Sequence, residues 1–157
     1  VVLAAFTADC TPILLHDPVT GAVGAVHAGW RGTVGDIVGN AVRAMGERFG
    51  TRPGDIRAAI GPNIGVCCFE THADVPDGVR AVLGEEAEAF IVPDGEKFRV
   101  DLKGVNAALL RRAGVREIEI STECTACRPD RFWSHRRVGN DRGSLAAIIV
   151  CEGEKTK

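Results

Sequence analysis

Two side chains set the chemical question. Cys10 opens and His27 nearly closes the stretch "TADCTPILLHDPVTGAVGAVHAGWRG", residues 7–32. Between them lie two short apolar runs and Asp17-Pro18-Val19-Thr20-Gly21, which has the Pro and Gly of a turn. Strands joined through a turn centred near Val19 pair residues whose numbers sum to about 38. Cys10 is then expected opposite residue 28 and His27 opposite residue 11. Cβ atoms directly across such a pair stand about 5 Å apart, so the two side chains could converge on one ion. A thiolate and an imidazole are a zinc-type ligand set, and the same soft donors suit copper. Two ligands fall short of the three that a catalytic zinc takes from protein. A buried Cys and a His bonded to backbone are the plainer alternative.

The residues after His27 add an anion site to that picture. Ala28-Gly29-Trp30-Arg31-Gly32 reads as a Gly-bracketed turn entering a helix, where free N–H groups attract anions. Arg31 adds a forked cation beside it, or is a surface ion pair, with Trp30 packing into the core. Further along, Phe132-Trp133-Ser134-His135-Arg136-Arg137 and then Arg142 combine aromatic rings, an imidazole and guanidinium groups. That mix suits a base, a sugar and a phosphate together, or else a solvated basic loop. His135 is a candidate general acid/base, and Arg31, Arg136 and Arg142 are candidate phosphate or ribose contacts. Asn63, in the loop Gly61-Pro62-Asn63-Ile64-Gly65, is a candidate hydrogen-bonding group or a turn residue. Cys124-Thr125-Ala126-Cys127 is a C-x-x-C with no second pair at zinc-knuckle spacing. It is read as a thiol near the site edge.

The elements that must hold these groups follow from periodicity. Val1–Ala5 is read as a buried strand, followed by strands at Ile13–His16 and Ala22–His27. Val34, Ile37, Val38, Ala41, Val42, Met45 and Phe49 fall at helical spacing, closed by Gly50. Strands are expected at Ile56–Ile60, Phe98–Asp101, Ile118–Ile120 and Leu145–Val150, and helices over residues 74–90 and 102–113. Residues 121–141 read as a polar loop, and the charged tail Glu152–Lys157 as a frayed end. Interleaved helices and strands with an antiparallel hairpin give a mixed α/β (α+β) fold, a layered mixed β-sheet with flanking helices.

The bulk numbers are those of one ordinary globular domain. The chain has 157 residues, 45% hydrophobic and 25% charged, with a net charge of −2. That charge gives no electrostatic case for nucleic acid or an anionic membrane. No apolar run approaches the roughly 20 residues that span a bilayer. Six cysteines are too few for a disulfide scaffold at this size. Reduced thiols and a cytoplasmic location are expected. The chain opens on Val1 in the middle of an apolar run, which predicts a further segment ahead of it.

The stretches "TADCTPILL", "AVHAGWRG", "AIGPNIGVCCFE", "VDLKGVNAALL", "ECTACRPDRFWSHRR" and "RGSLAAII" occur in this order across nearly the whole chain. Together they resemble the YfiH, or laccase-domain, family, first labelled polyphenol oxidases. The resemblance implies a fold like that of CNF-type cysteine-hydrolase toxins. It implies zinc-dependent phosphorolysis of adenosine, inosine and methylthioadenosine, and deamination of adenosine. The small-molecule substrates would be a purine nucleoside and phosphate, taken by a monomer or homodimer. The family's zinc Cys and one zinc His match Cys10 and His27. Its third ligand, a His in a Q-V-H type motif, would lie upstream of Val1, so residues 1–157 would be the C-terminal majority of a single family domain. Three alternatives stand beside this reading. One is copper-dependent phenol oxidation, for which four His are few. Another is a Cys-dependent amidase or cell-wall editing hydrolase built on Cys10. The last is a partner-binding domain with a relict site.

Overall fold

In the computed structural model, which describes residues 1–151, the chain folds as a layered α/β structure. Its elements run β1 (Val2–Thr7), β2 (Thr11–His16), β3 (Val23–Ala28), α1 (Trp30–Val34), α2 (Ile37–Phe49), β4 (Arg57–Ile60), β5 (Glu70–Thr71), α3 (Asp74–Leu83), β6 (Ile91–Asp94), β7 (Lys97–Val100), α4 (Leu102–Arg112), β8 (Glu117–Ile120), α5 (His135–Val138) and β9 (Leu145–Val150). The tail read as a frayed end lies outside the described residues.

The central sheet has the order β3-β2-β4-β8, antiparallel except for the parallel β4–β8 pair. Ile13 and Leu15 on β2, Val26 on β3, and Ala58 and Ile60 on β4 alternate inward and are buried. They form one core with Val38, Val42 and Met45 of α2 and Val105, Leu109 and Leu110 of α4. A second sheet, β5-β7-β6, is wholly antiparallel. β1 and β9 form a two-stranded antiparallel ribbon that touches β2 and β3.

Local chemistry sets the joints. The Asp17 carboxylate accepts the Val19 N–H at 2.8 Å and the Thr20 hydroxyl at 2.7 Å, closing the β2–β3 turn. Gly21 supplies the positive φ, +75°, that the turn requires. Asp36 and Asp101 cap α2 and α4 by accepting the N–H of Gly39 and Gly104, each at 3.1 Å.

Four expectations need correcting. Val1–Ala5 is not a buried strand: Val2 is 65% and Phe6 62% exposed, because β1 pairs only with β9 and turns one face outward. The helical pattern from Val34 to Phe49 is broken at Gly35-Asp36, where Asp36 adopts φ +53° and starts α2 anew. The helix over 74–90 ends at Leu83, since Gly84 at φ +64° turns the chain into a 3-10 segment. The polar stretch 121–141 contains a helical turn, α5, and the strand expected at Phe98–Asp101 is β7, which forms a hairpin with the unexpected β6 through a turn at Asp94-Gly95. Among the described residues no helix is long and apolar enough to cross a membrane.

Candidate active site and thiol cluster

Asp9 organises the site. Oδ1 accepts the Thr125 hydroxyl at 2.6 Å. Oδ2 accepts the Ser134 hydroxyl at 3.0 Å and the Arg136 backbone N–H at 2.6 Å. The Asp9 carbonyl accepts the N–H of Ile64 at 3.0 Å. Asp9 therefore ties the β1–β2 connection to three segments distant in sequence, two through its carboxylate and one through its backbone carbonyl. Asp9 holds φ +86°, a left-handed conformation that Asp tolerates better than most residues. The sequence reading passed over it. Its signals were its place beside Cys10 and a side chain suited to unusual backbone.

Around Asp9 opens a cleft of about 250 Å³, lined by Ala8, Asp9, Cys10, Ile64, Phe69, His135, Arg136 and Arg142. Three stretches read separately in the sequence thus meet in one place: Cys10, the His135–Arg136 pair and Arg142. A larger open groove of about 570 Å³ lies between β2, β4, β8 and Ile149, and His16 is the only His or Cys in its wall. The chemistry is concentrated in the smaller cleft.

His135 is exposed, and its Nδ1 accepts the Arg142 Nε–H at 3.3 Å. A ring nitrogen that accepts carries no proton, so the neutral tautomer has its proton on Nε2. The Arg136 guanidinium donates to the carbonyls of Cys68, at 3.2 Å, and Glu70, at 3.0 Å, and lies 5.7 Å from the Phe69 ring centre. Arg136 therefore holds the loop before β5 in place.

The hairpin register differs from the one expected. Thr11 pairs with Ala28 and Pro12 with His27, a sum of 39 rather than about 38. The reason is the loop, which Asp17 N–H to Ala22 O and Gly21 N–H to Asp17 O close between Thr20 and Val19 rather than on Val19. The odd sum matters. It places residue 10 across from Gly29, on the same face as His27, where an even sum would have separated them. The Cys10 sulfur lies 3.3 Å from where a Gly29 Cβ would stand, so the missing side chain makes its room. His27 is exposed on β3 and Cys10 partly buried. Burial and the neighbouring Asp9 push the Cys10 thiol up, while Arg142 draws it back. This soft sulfur and nitrogen pair fits zinc or copper as two of its ligands.

Three predicted residues lie outside the lining of the cleft: His27, Arg31 and Asn63. Arg31 is exposed, 4.3 Å above the Trp30 ring, outside the lining of the cleft. Asn63 is fully buried, and its Nδ2–H donates to Thr11 Oγ1 at 2.8 Å. Its backbone bridges to Cys124. Asn63 is absent from the lining of the cleft, and its amide ties the loop 61–65 to β2.

The cysteine reading also changes. The sulfurs of Cys67, Cys68, Cys124 and Cys127 all lie within 4.8 Å of one another and could hold a metal ion. Cys124 is a member of this cluster, not a lone thiol at the site edge. Burial alone would raise it, but the N–H groups of Gly65 and Cys127 and the neighbouring thiols bring it down to about 7. The partner of the C-x-x-C is an adjacent Cys-Cys pair, a spacing no knuckle pattern anticipates.

A family model described as multi-copper polyphenol oxidoreductase laccase matches residues 1–152. The purine nucleoside phosphorylase YlmD of Geobacillus stearothermophilus is 40% identical over 99% of this chain and 57% of its own length. An adenosine deaminase, RL5, from an unknown prokaryotic organism is 38% identical over 91% of the chain and 55% of its own length. The crystal structure of YlmD from Geobacillus stearothermophilus superposes with a TM-score of 0.92 at 39% identity, covering 98% of this chain and 58% of that one. The chain spans a little over half the length of these relatives.

Proposed function

Since the chain belongs to the multi-copper polyphenol oxidoreductase laccase family, we propose that it acts on purine nucleosides, by phosphorolysis of the glycosidic bond and by deamination of adenosine. Relatives that match nearly all of it are named for these two activities. The observation that carries the reading is the Arg142–His135 hydrogen bond at a cleft that also exposes Cys10. It supplies a fixed cation, a hydrogen-bond donor of defined tautomer and a metal-type sulfur within one small space.

Cys10 and His27 would hold zinc, or copper in its place, together with a ligand from outside these two. When bound, that ion supplies Lewis-acid polarisation. The chain's own groups do the rest. In phosphorolysis a phosphate oxygen bonds to the anomeric carbon as the carbon–nitrogen bond to the base breaks. His135 Nε2–H donates a hydrogen bond to the departing purine nitrogen and steadies the negative charge that develops there, while water supplies the proton. Arg142 holds the ring through Nδ1 and, as a cation beside the cleft, favours the anionic phosphate. Phe69 offers an aromatic wall to the base. Arg136 and Asn63 act as positioning residues for the loops that carry these groups. Arg31, held over Trp30 close to His27, adds positive charge at the approach.

The test is purine release from adenosine by the full-length protein, with and without phosphate, together with inosine formation. Phosphate-dependent adenine release that is lost in Cys10→Ala and in His135→Ala supports the reading. Phenol oxidation in the absence of any nucleoside turnover would replace it with the oxidase reading.

A further inference from the structure

The four thiols Cys67, Cys68, Cys124 and Cys127, outside the lining of the cleft, do not enter the chemistry proposed above, and their arrangement stands independently of it. We propose that Cys67, Cys68, Cys124 and Cys127 form a structural zinc site that staples the loop before β5 to the loop after β8. Tetrahedral zinc with sulfur bonds of about 2.3 Å places its four sulfurs about 3.8 Å apart. Here Cys67 and Cys127 stand 3.6 Å apart, Cys68 and Cys127 3.4 Å, and the whole set lies within 4.8 Å. Adjacent cysteines are poorly placed to bridge each other, yet both Cys67 and Cys68 direct their sulfurs to the pair from the other loop. A disulfide would use two of the four and leave the rest unexplained. A tetrathiolate ion uses them all.

The surroundings fit such an ion. Gly65 N–H donates to Cys124 Sγ at 3.2 Å, the kind of second contact that orients a thiolate ligand. A Cβ on Gly65 would stand 3.3 Å from Cys67 Sγ and 3.2 Å from Cys124 Cβ, so the glycine lets the loop close on the cluster. Four thiolates around one Zn²⁺ carry a net charge of −2, with four protons released on binding. Cations lie against the same loops: Lys103 on the Glu123 carbonyl at 2.8 Å, Arg99 on that of Cys67 at 3.2 Å and Arg136 on that of Cys68 at 3.2 Å. Cys124 is buried while Cys67 and Cys127 are exposed, which gives an ion a way in. The staple would bear on the cleft, because the same loops carry Ile64 and Phe69 of its wall and Thr125, which binds Asp9.

The decisive experiment is a cobalt(II) titration of the reduced, metal-stripped full-length protein, paired with elemental analysis as purified. The proposal expects intense thiolate-to-cobalt charge-transfer bands and strong tetrahedral visible bands, complete at about one equivalent. These bands and one zinc per chain persist in the double variant Cys10→Ala/His27→Ala, whereas in Cys67→Ser/Cys127→Ser the bands disappear and the zinc that remains is that of Cys10 and His27. The unsubstituted protein gives the spectrum whether or not the variants fold. Absence of the bands in the reduced, metal-stripped protein would overturn the proposal. So would zinc that disappears entirely with Cys10 and His27, or a Cys127 disulfide to Cys67 or Cys68 mapped by mass spectrometry in the purified protein.

Discussion

The Asp9 carboxylate accepts the backbone N–H of Arg136 at 2.6 Å, across 127 positions of sequence. With the Thr125 and Ser134 hydroxyls on the same carboxylate, it joins the Cys10 loop to the segment that carries His135. Asp9→Ala leaves three donors without their acceptor and puts Ala where φ is +86°. It should cost about 2–3 kcal/mol and disorder the cleft. Asp9→Asn keeps the backbone preference and one acceptor oxygen and should cost less. Denaturant unfolding of the two variants checks the order.

Gly29 faces the Cys10 sulfur. A methyl group there would stand 3.3 Å from it, tighter than ordinary contact, and would displace the thiol. Gly29→Ala is expected to leave the fold intact while lowering nucleoside turnover by about tenfold or more. Metal content at the Cys10 and His27 pair should fall in parallel, read in a Cys67→Ser/Cys127→Ser background. An unchanged rate would mean that the Cys10 position does not matter to the reaction.

Arg142 sets the His135 ring. Removing it in Arg142→Ala frees Nδ1, and kcat should fall on the order of a hundredfold as the hydrogen-bond donor loses its orientation. Arg142→Lys should rescue little, because an ammonium does not reproduce the Nε–H geometry. The two variants should also share an altered pH–rate profile, which a loss of packing alone would not produce.

Asp17 gives the fold a pH dependence. Burial would raise its carboxyl, but hydrogen bonds from the Thr20 hydroxyl, the Val19 N–H and Thr51 outweigh that and hold it below the usual carboxylate range. A depressed folded-state pKa stabilises the protein fully above the unfolded value, about 3.9. That stability is lost as pH falls through the lower folded value. Urea unfolding between pH 6 and 2, expected to be flatter in Asp17→Asn over the acidic limb, is the measurement.

Sequence alone determined what depends on neighbours in the chain. The β2–β3 hairpin, α2 and α4 follow from short-range periodicity, a turn and the Gly50 stop, because their hydrogen bonds close over a few residues. The types of residue able to do chemistry, Cys10, His27, His135, Arg136 and Arg142, were legible for the same reason. What periodicity could not supply was register to one residue, and that single step decides whether Cys10 and His27 share a face. It also could not show that β1 lies at the surface, since burial of an apolar run depends on which strand it meets. Asp9, Asn63 and the four thiols acquire their roles only when segments far apart in sequence, 52 positions for Asn63 and Thr11 and 116 for Asp9 and Thr125, close on one another. Those contacts are set by how α2, α4 and the central sheet pack, and no local pattern in the chain records them.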